Sequence, residues 1–526
     1  MLGSAQSAQS YDLVIRGARV LDGAGNPWVP ADVAVKGGRI AKVGRVESCG
    51  AREIEADGRY LAPGFIDMMD QSGRILSTQG FAPNKLKMGV TTCIAGELGT
   101  PVPCNEIAEW LNAMSGRISV NFGSYYSATQ ARREIMGDAA GVPNARELAA
   151  MKSMVSEAMR QGAFGLTTAL IYPPASFHST DELVELAQAA SALGGIYATH
   201  VRDESMGLVD GISEAIEIGE RAGIGVEIFH FKAAWRPRAG DLMSKACMVI
   251  DDARARGVSV AANIYPYVAA ATGLDVTIPT WVFKDGIEAA RARLSDPVFR
   301  QQLKAEIEGG PSSTWSNFVA ASGGWENILL ANAYNPTYDS HRFASIAEIG
   351  RRLERHPADI AWDILLEAKS SRPLAIFFMM DENDVEDAMR RPWTSIGSDA
   401  ACARTLGQKD DLGLPHPRSY GTFARVLAEY VRRRGILTLE DAVRKMTSWP
   451  ASRMGLCDRG VIREGLWADF VIFDLDSVQD VADWDDPTQA SKGFDYVAVN
   501  GELAIDDGAL TNATPGHALL GPGFGM

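Results

Sequence analysis

The spacing of apolar positions changes character twice along the chain. Near the start, apolar and polar residues alternate in short runs: YDLVIR at Tyr11–Arg16, DVAVK at Asp32–Lys36 and IAKV at Ile40–Val43. Turn pairs separate them, at Asp22-Gly23, Gly37-Gly38 and Asp57-Gly58. A period of two bounded by turn residues predicts half-buried strands. The same style returns near the end, with DFVIF at Asp469–Phe473, YVAVN at Tyr496–Asn500 and a hairpin signal at Asn500-Gly501. Two all-β ends can pair, which brings the termini together. We therefore expect a small β-sandwich built from residues 11–62 and 453–515.

Between these ends, continuous apolar runs alternate with helical patterns. The runs are Gly89–Ala95, Ile118–Phe122, Phe164–Ala169, Gly195–His200, Val226–His230, Val258–Tyr265, Leu374–Met379 and Thr394–Ser398. Such runs suit strands buried on both faces of a parallel sheet. The segment Ser179–Leu193 illustrates the helices. Leu183, Leu186, Ala187, Ala190 and Leu193 share one face, Ser179 and Glu182 suit a capping box, and Gly194-Gly195 stops the helix. Roughly eight strands with helices between them predict a (β/α)8 barrel over residues 63–452. A doubly wound open sheet is the alternative. Residues 280–345 break the rhythm and read as an insertion.

Composition narrows the function classes. The 526 residues are 46% hydrophobic and 22% charged, ordinary for a globular protein, and the net charge is −15. An acidic balance disfavours nucleic acid or an anionic membrane as partner. A few local cations can still hold an anionic substrate. No apolar run is long enough for a membrane helix. Met1–Ser10 is small and polar and lacks the apolar stretch of an intact signal peptide; a processed leader is one reading, which leaves cytoplasm and periplasm open. Six scattered cysteines with no CxxC pair predict buried or inert thiols, not a disulfide framework. Phosphate-loop and serine-hydrolase motifs are absent, and the terminal GPGFGM lacks the strand and helix of a dinucleotide loop.

Candidate chemistry sits where predicted strands end, as it does at the C-terminal rim of a barrel. Four strand ends carry suitable groups: Glu97 after GVTTCIAG, His200 after GGIYATH, His230 after GVEIFH, and Asp399 after TSIGS. The chain has only seven histidines, and two of them close successive strands. Two neutral imidazoles and a carboxylate suit a catalytic zinc with an open position. Asp399 is placed to take a proton from water and pass it to a leaving nitrogen. Arg202 and Lys232 lie two residues beyond the histidines, Tyr265 and Tyr267 end the next strand, and Arg418 follows in PHPR. Such a set suits a carboxylate, although ion pairing with Asp203 or Glu204 would equally explain Arg202.

These segments resemble a known family. YDLVIRGARVLDG, APGFID, GVTT, GAFGLTTALIYPP, YATHVRDE, HFKAA, YPY, SDA, HPRSYGTF and REGLWADFVIFD together are similar to the amidohydrolase superfamily, in its D-aminoacylase (N-acyl-D-amino-acid deacylase) branch. The resemblance covers most of the chain. It implies a metal-dependent (β/α)8 barrel with a β-sandwich from both termini. It matches His200 and His230 to metal ligands and Asp399 to the catalytic acid/base. Lys232, Tyr265 and Arg418, with Tyr267 less closely matched, correspond to residues holding the substrate carboxylate. Two departures stand out. The superfamily's His-x-His on the first strand is replaced by Met69-Asp70-Gln71, and the family's metal-binding cysteine is replaced by Leu98 in the turn Gly96-Glu97-Leu98-Gly99. Glu97 is the substitute ligand, so one divalent metal, zinc, on Glu97, His200 and His230 is the expectation, with Asp70 as an outer-shell candidate.

The expected activity is hydrolysis of the C–N bond of a small carboxylated amide, an N-acyl-D-amino acid by resemblance. A cyclic amide, dipeptide or ester hydrolase on the same scaffold, or a non-catalytic barrel homologue, are the alternatives. Acyl group, side chain, D against L preference and oligomeric state stay open, a homo-oligomer included.

Overall fold

Strand ends decide where chemistry can sit, so the barrel's closure comes first. The structure is a computed structural model that describes residues 11–238, 240–368, 371–407 and 416–526. The Met1–Ser10 leader reading and Pro415 of the PHPR loop lie outside the described residues. The first barrel strand is Phe65–Asp70, followed by Val90–Ala95 and Asn121–Ser124, which continues as Tyr126–Ser127. The later strands are Gly165–Ala169, Ile196–His200, Val226–Ile228, Val260–Ile264 and Thr394–Ile396. Each pairs with the next in parallel. A bridge between Asp70 and Ala400 and a hydrogen bond from the Asp399 amide to the Met69 carbonyl (2.9 Å) close the ring. Met69, Ile94, Phe164, Ala198 and Phe229, contributed by different strands or strand ends, form one buried cluster. The fold is a (β/α)8 barrel, as expected.

The β ends do pair. Tyr60–Pro63 runs antiparallel to Phe470–Phe473 and joins N- and C-terminal strands into one nine-stranded sheet. Its apolar side buries Ile15, Val33, Ile54, Leu61, Phe470 and Ile472 together.

Two expectations need correction. Leu374–Phe378 is not a barrel strand. It is the middle strand of a small antiparallel sheet between Ala269–Gly273 and Ile328–Asn332. The insertion is therefore larger than residues 280–345: it spans residues 269–378, between the seventh and eighth barrel strands, and has its own core around Leu274, Leu303, Trp362 and Phe377. An apolar run reads the same whether it is buried in a barrel or in a small covered sheet. The strand missing from the expected set is Phe65–Asp70, the barrel's first. The second correction concerns the helix Thr180–Ser191. Ser179 caps it by accepting from the Glu182 amide (3.2 Å), but the Glu182 carboxylate turns away to His178 Nδ1 (2.7 Å) and Arg132 (3.2 Å), so the box is half formed. Of the six free cysteines, Cys93, Cys247 and Cys402 are buried, whereas Cys49 and Cys457 are exposed. No helix among the described residues is long and apolar enough to cross a membrane.

One polar node lies under the seam. Lys85 is fully buried, and its Nζ reaches Asp67 (2.9 Å), Asp70 (2.7 Å), Ser398 Oγ (2.8 Å) and the Ala400 carbonyl (2.7 Å). Burial opposes its charge, but Asp67 and Asp70 hold its pKa above the ordinary value. Asp70, an outer-shell candidate by sequence, thus serves barrel closure. Removing one member of a buried ionic group strands the others, at a cost of about 3–5 kcal/mol. Lys85→Met should lower the free energy of chaotrope unfolding by that much. A loss under about 1 kcal/mol would mean that the two aspartates need no counter-charge.

Candidate metal centre and active site

Local backbone sets each functional side chain at the rim. Gly96, at φ 113°, lets the chain turn off the second strand; a side chain there would meet the Tyr125 carbonyl at 2.7 Å. The turn delivers Glu97. His200 is the last residue of the fifth strand. His230 and Asp399 adopt left-handed φ values of 35° and 47°, costly for non-glycine residues. Asn263 holds the first in place: its Oδ1 accepts from the His230 amide (2.8 Å) and its carbonyl accepts from the Phe231 amide (2.7 Å). The Met69 carbonyl and the Lys85 node hold the second.

The three ligand candidates converge. Glu97 Oε1 lies 3.3 Å from His200 Nδ1 and 3.4 Å from His230 Nε2, and the three donor atoms fall within 4.8 Å of one another. Zinc bonds of ~2.0–2.2 Å in a tetrahedron put neighbouring donors about 3.3–3.5 Å apart, so the geometry and the donor types both fit a single metal. All three residues are buried. Burial opposes the Glu97 charge, but hydrogen bonds and attraction from both histidines hold its pKa far below the usual carboxylate range. Gln71 Nε2 donates to the other oxygen, Oε2 (2.7 Å), which leaves Oε1 to face the imidazoles.

Glu204 backs the cluster from the opposite side, and sequence reasoning had treated it only as an ion-pair partner. One oxygen lies 3.0 Å from His230 Nδ1; the other lies 3.3 Å from His200 Nε2, near enough for attraction but out of line for a hydrogen bond. Glu204 also pairs with Lys232, whose Nζ is 2.7 Å from His230 Nδ1. Burial works against the Glu204 charge, but His200, Lys232 and His230 hold its pKa well below the ordinary value. His230 feels the reverse balance: burial and Lys232 lower its pKa, and Glu204 and Glu97 raise it to about 9.

The cavity over this cluster has a volume of about 250 Å³ and is lined by Glu97, His200, His230, Lys232, Tyr265, Asp399 and Arg418. Arg418 Nη1 lies 2.9 Å from Asp399 Oδ2, its Nη2 donates to the Ala271 carbonyl (3.2 Å), and its guanidinium stacks 4.8 Å from the Tyr265 ring. The buried Tyr265 hydroxyl has no hydrogen-bond partner among the described residues. Two weaker candidates do not line the cavity. Arg202 pairs with Glu214 (2.8 Å) and caps the Ser176 and His178 carbonyls, and Tyr267 donates to the Pro417 carbonyl (3.4 Å). The insertion supplies residues that sequence reasoning missed: Thr272 and Arg372 line the cavity, and Thr272 Oγ1 meets, at 2.8 Å, the hydroxyl of Tyr172, a barrel-rim residue whose ring packs against His200. Nothing in the spacing of Arg372 could have placed it there, because the insertion's reach was underestimated.

Comparisons with known proteins show the family. The amidohydrolase family model matches residues 389–505. The N-acyl-D-glutamate deacylase of Alcaligenes xylosoxydans xylosoxydans is 33% identical over 540 residues, covering 97% of each chain. The chain belongs to the amidohydrolases, in their D-aminoacylase branch. The D-aminoacylase of the same organism is 31% identical, covering 98% of this chain and 99% of the relative. The N-acyl-D-glutamate deacylase of Bordetella bronchiseptica, solved with zinc and a phosphonate mimic of the tetrahedral intermediate, superposes with a TM-score of 0.80 at 28% identity, covering 97% and 99%. This amidohydrolase is a metal-dependent amide hydrolase by kinship, and its donor set fits that kinship.

A carboxylate that orients metal-bound histidines typically carries 10–100-fold of metal affinity. Glu204→Gln should therefore weaken zinc retention in a chelator competition by that factor, with Glu97, His200 and His230 untouched. Affinity equal to wild type would remove Glu204 from the metal centre's support.

Proposed function

We propose that this amidohydrolase removes the acyl group from an N-acyl-D-amino acid, with one zinc on Glu97, His200 and His230. The observation that carries the reading is the meeting, in one cavity, of that donor set with Asp399 and with the cations Lys232 and Arg418. A zinc held by Glu97, His200 and His230 would supply Lewis acidity for the amide carbonyl and a water made nucleophilic near neutral pH. Arg418, Lys232 and the free hydroxyl of Tyr265 hold the α-carboxylate and thereby align the scissile amide. Asp399 accepts the proton of the attacking water and delivers it to the amide nitrogen as the C–N bond breaks. The products are a carboxylic acid and a free amino acid. Gln71 Nε2, 3.3 Å from Asp399 Oδ1, keeps that carboxylate turned toward the metal side. The same Gln71 fills, with an amide that does not replace a histidine ligand well, the place where the resemblance puts a second metal's imidazole. That supports a one-metal site.

The test is a panel of N-acetyl-D- and L-amino acids with neutral and acidic side chains, assayed for released amine. Turnover of D-isomers over L-isomers supports the reading; exclusive turnover of cyclic amides or esters contradicts it. Asp399→Asn should keep its zinc and lose about 10²–10⁴ in kcat, the usual worth of a positioned acid/base. Retained kcat would take Asp399 out of proton transfer. Arg418→Met should cost one to two decades in kcat/KM on carboxylated substrates, since a charge-assisted hydrogen bond contributes about 1.5–3 kcal/mol. The matching amides or methyl esters should lose far less. Equal losses would mark Arg418 as structural.

A further inference from the structure

A second cavity of about 390 Å³ adjoins the first. The two share Leu98, Tyr172 and Arg372 in their walls. The second contains none of Arg418, Tyr265, Lys232 or Asp399; it joins the first at Leu98, the residue after Glu97, and at Tyr172, whose ring packs on His200. None of the carboxylate-binding residues reaches into it.

Its walls are mainly apolar: Ile278, Phe283, Ile287, Leu294 and Leu365. Its charged residues are already engaged. Arg372 pairs with Asp275 (2.9 Å), Arg133 with Asp138 (2.6 Å), and Arg291 donates to the Leu365 and Leu366 carbonyls. Two large apolar side chains stand open in the walls: Leu98 is 55% exposed and Ile287 58% exposed. Leu98 stands at the threshold between the cavities. Exposed apolar surface around a cavity of this size marks a place for an apolar ligand group.

An N-acyl amino acid carries its carboxylate on one side of the scissile carbonyl and its acyl chain on the other. With the carboxylate at Arg418 and the carbonyl at the metal cluster, the acyl chain points across the Leu98 threshold. We infer that this cavity is the acyl subsite and that the preferred substrates carry a medium-length or bulky apolar acyl group, not acetyl. The inference rests on the deacylase reading above and specifies its substrate class.

The experiment uses the zinc-loaded full chain and a series of N-acetyl-, N-butyryl-, N-hexanoyl- and N-octanoyl-D-amino acids, with D-leucine and D-glutamate as the amino acid. Each buried methylene contributes about 0.8 kcal/mol, or roughly fourfold in kcat/KM. Hexanoyl should therefore exceed acetyl by about 200-fold on the same amino acid. Two variants address the cavity. Ala290→Phe fills it, and Ile287→Asp places a charge on its open wall without disturbing a buried position. Each should cut the hexanoyl-to-acetyl ratio below about tenfold, as the apolar volume or its dryness is lost. Deacylation with a flat or falling dependence on chain length overturns the inference and leaves the deacylase reading standing. A steep dependence that neither variant changes also overturns it, because the chain then lies elsewhere. Failure to release amine from every member of the series sinks the deacylase reading and the subsite with it.

Discussion

Everything at the active rim depends on how the barrel closes. The eighth strand is short, Thr394–Ile396, and few ladder hydrogen bonds join it to the first. The seam is carried by charge instead: one buried ammonium, Lys85, gathers two carboxylates from the first strand and two oxygens from the segment after the eighth. Asp399 sits between the residues of those two acceptors, Ser398 and Ala400. Its left-handed backbone is tolerable only because neighbours on both sides are tied to the same cation. His230 shows the same logic on a smaller scale, with Asn263 as its clamp.

Above the seam, anions and cations alternate through the cavity. Glu97 and Glu204 sandwich two histidines, Lys232 pairs with Glu204, and Asp399 pairs with Arg418. Each buried charge has a partner, so the cluster survives burial. A chain of net charge −15 can thus still receive an anionic substrate, because its local cations sit together in one place. The insertion completes the site. Ala271 and Thr272 on its first strand and Arg372 beside its middle strand form the wall opposite the barrel rim.

Much of this was legible from sequence. Strand-ending residues in a barrel must converge at one face, and that rule alone brought Glu97, His200, His230 and Asp399 together. Side-chain direction was harder. The rule that residues two apart on a strand share a face governs neither Lys232 nor Arg202, since the strands end at Ile228 and His200; beyond them Lys232 reaches the cavity, whereas Arg202 turns to Glu214. Glu204 was hidden for a related reason: no periodicity governs a residue in a rim loop. Asp70 looked like a metal-site residue because it stands in the first-strand motif, yet the nearer charge, Lys85, was a helix residue whose burial no local pattern reveals. The insertion's extent was misjudged because Leu374–Phe378 carries the same apolar signature as a barrel strand.

The central claim is a single working metal held by Glu97, His200 and His230. Its most direct measurement is a zinc titration of chelator-stripped protein, with amine release from an N-acyl-D-amino acid and bound zinc read in parallel. The account predicts that activity rises linearly and reaches its plateau at one zinc per chain. Activity that appears only as a second equivalent binds, or that is already complete in the stripped protein, would contradict it.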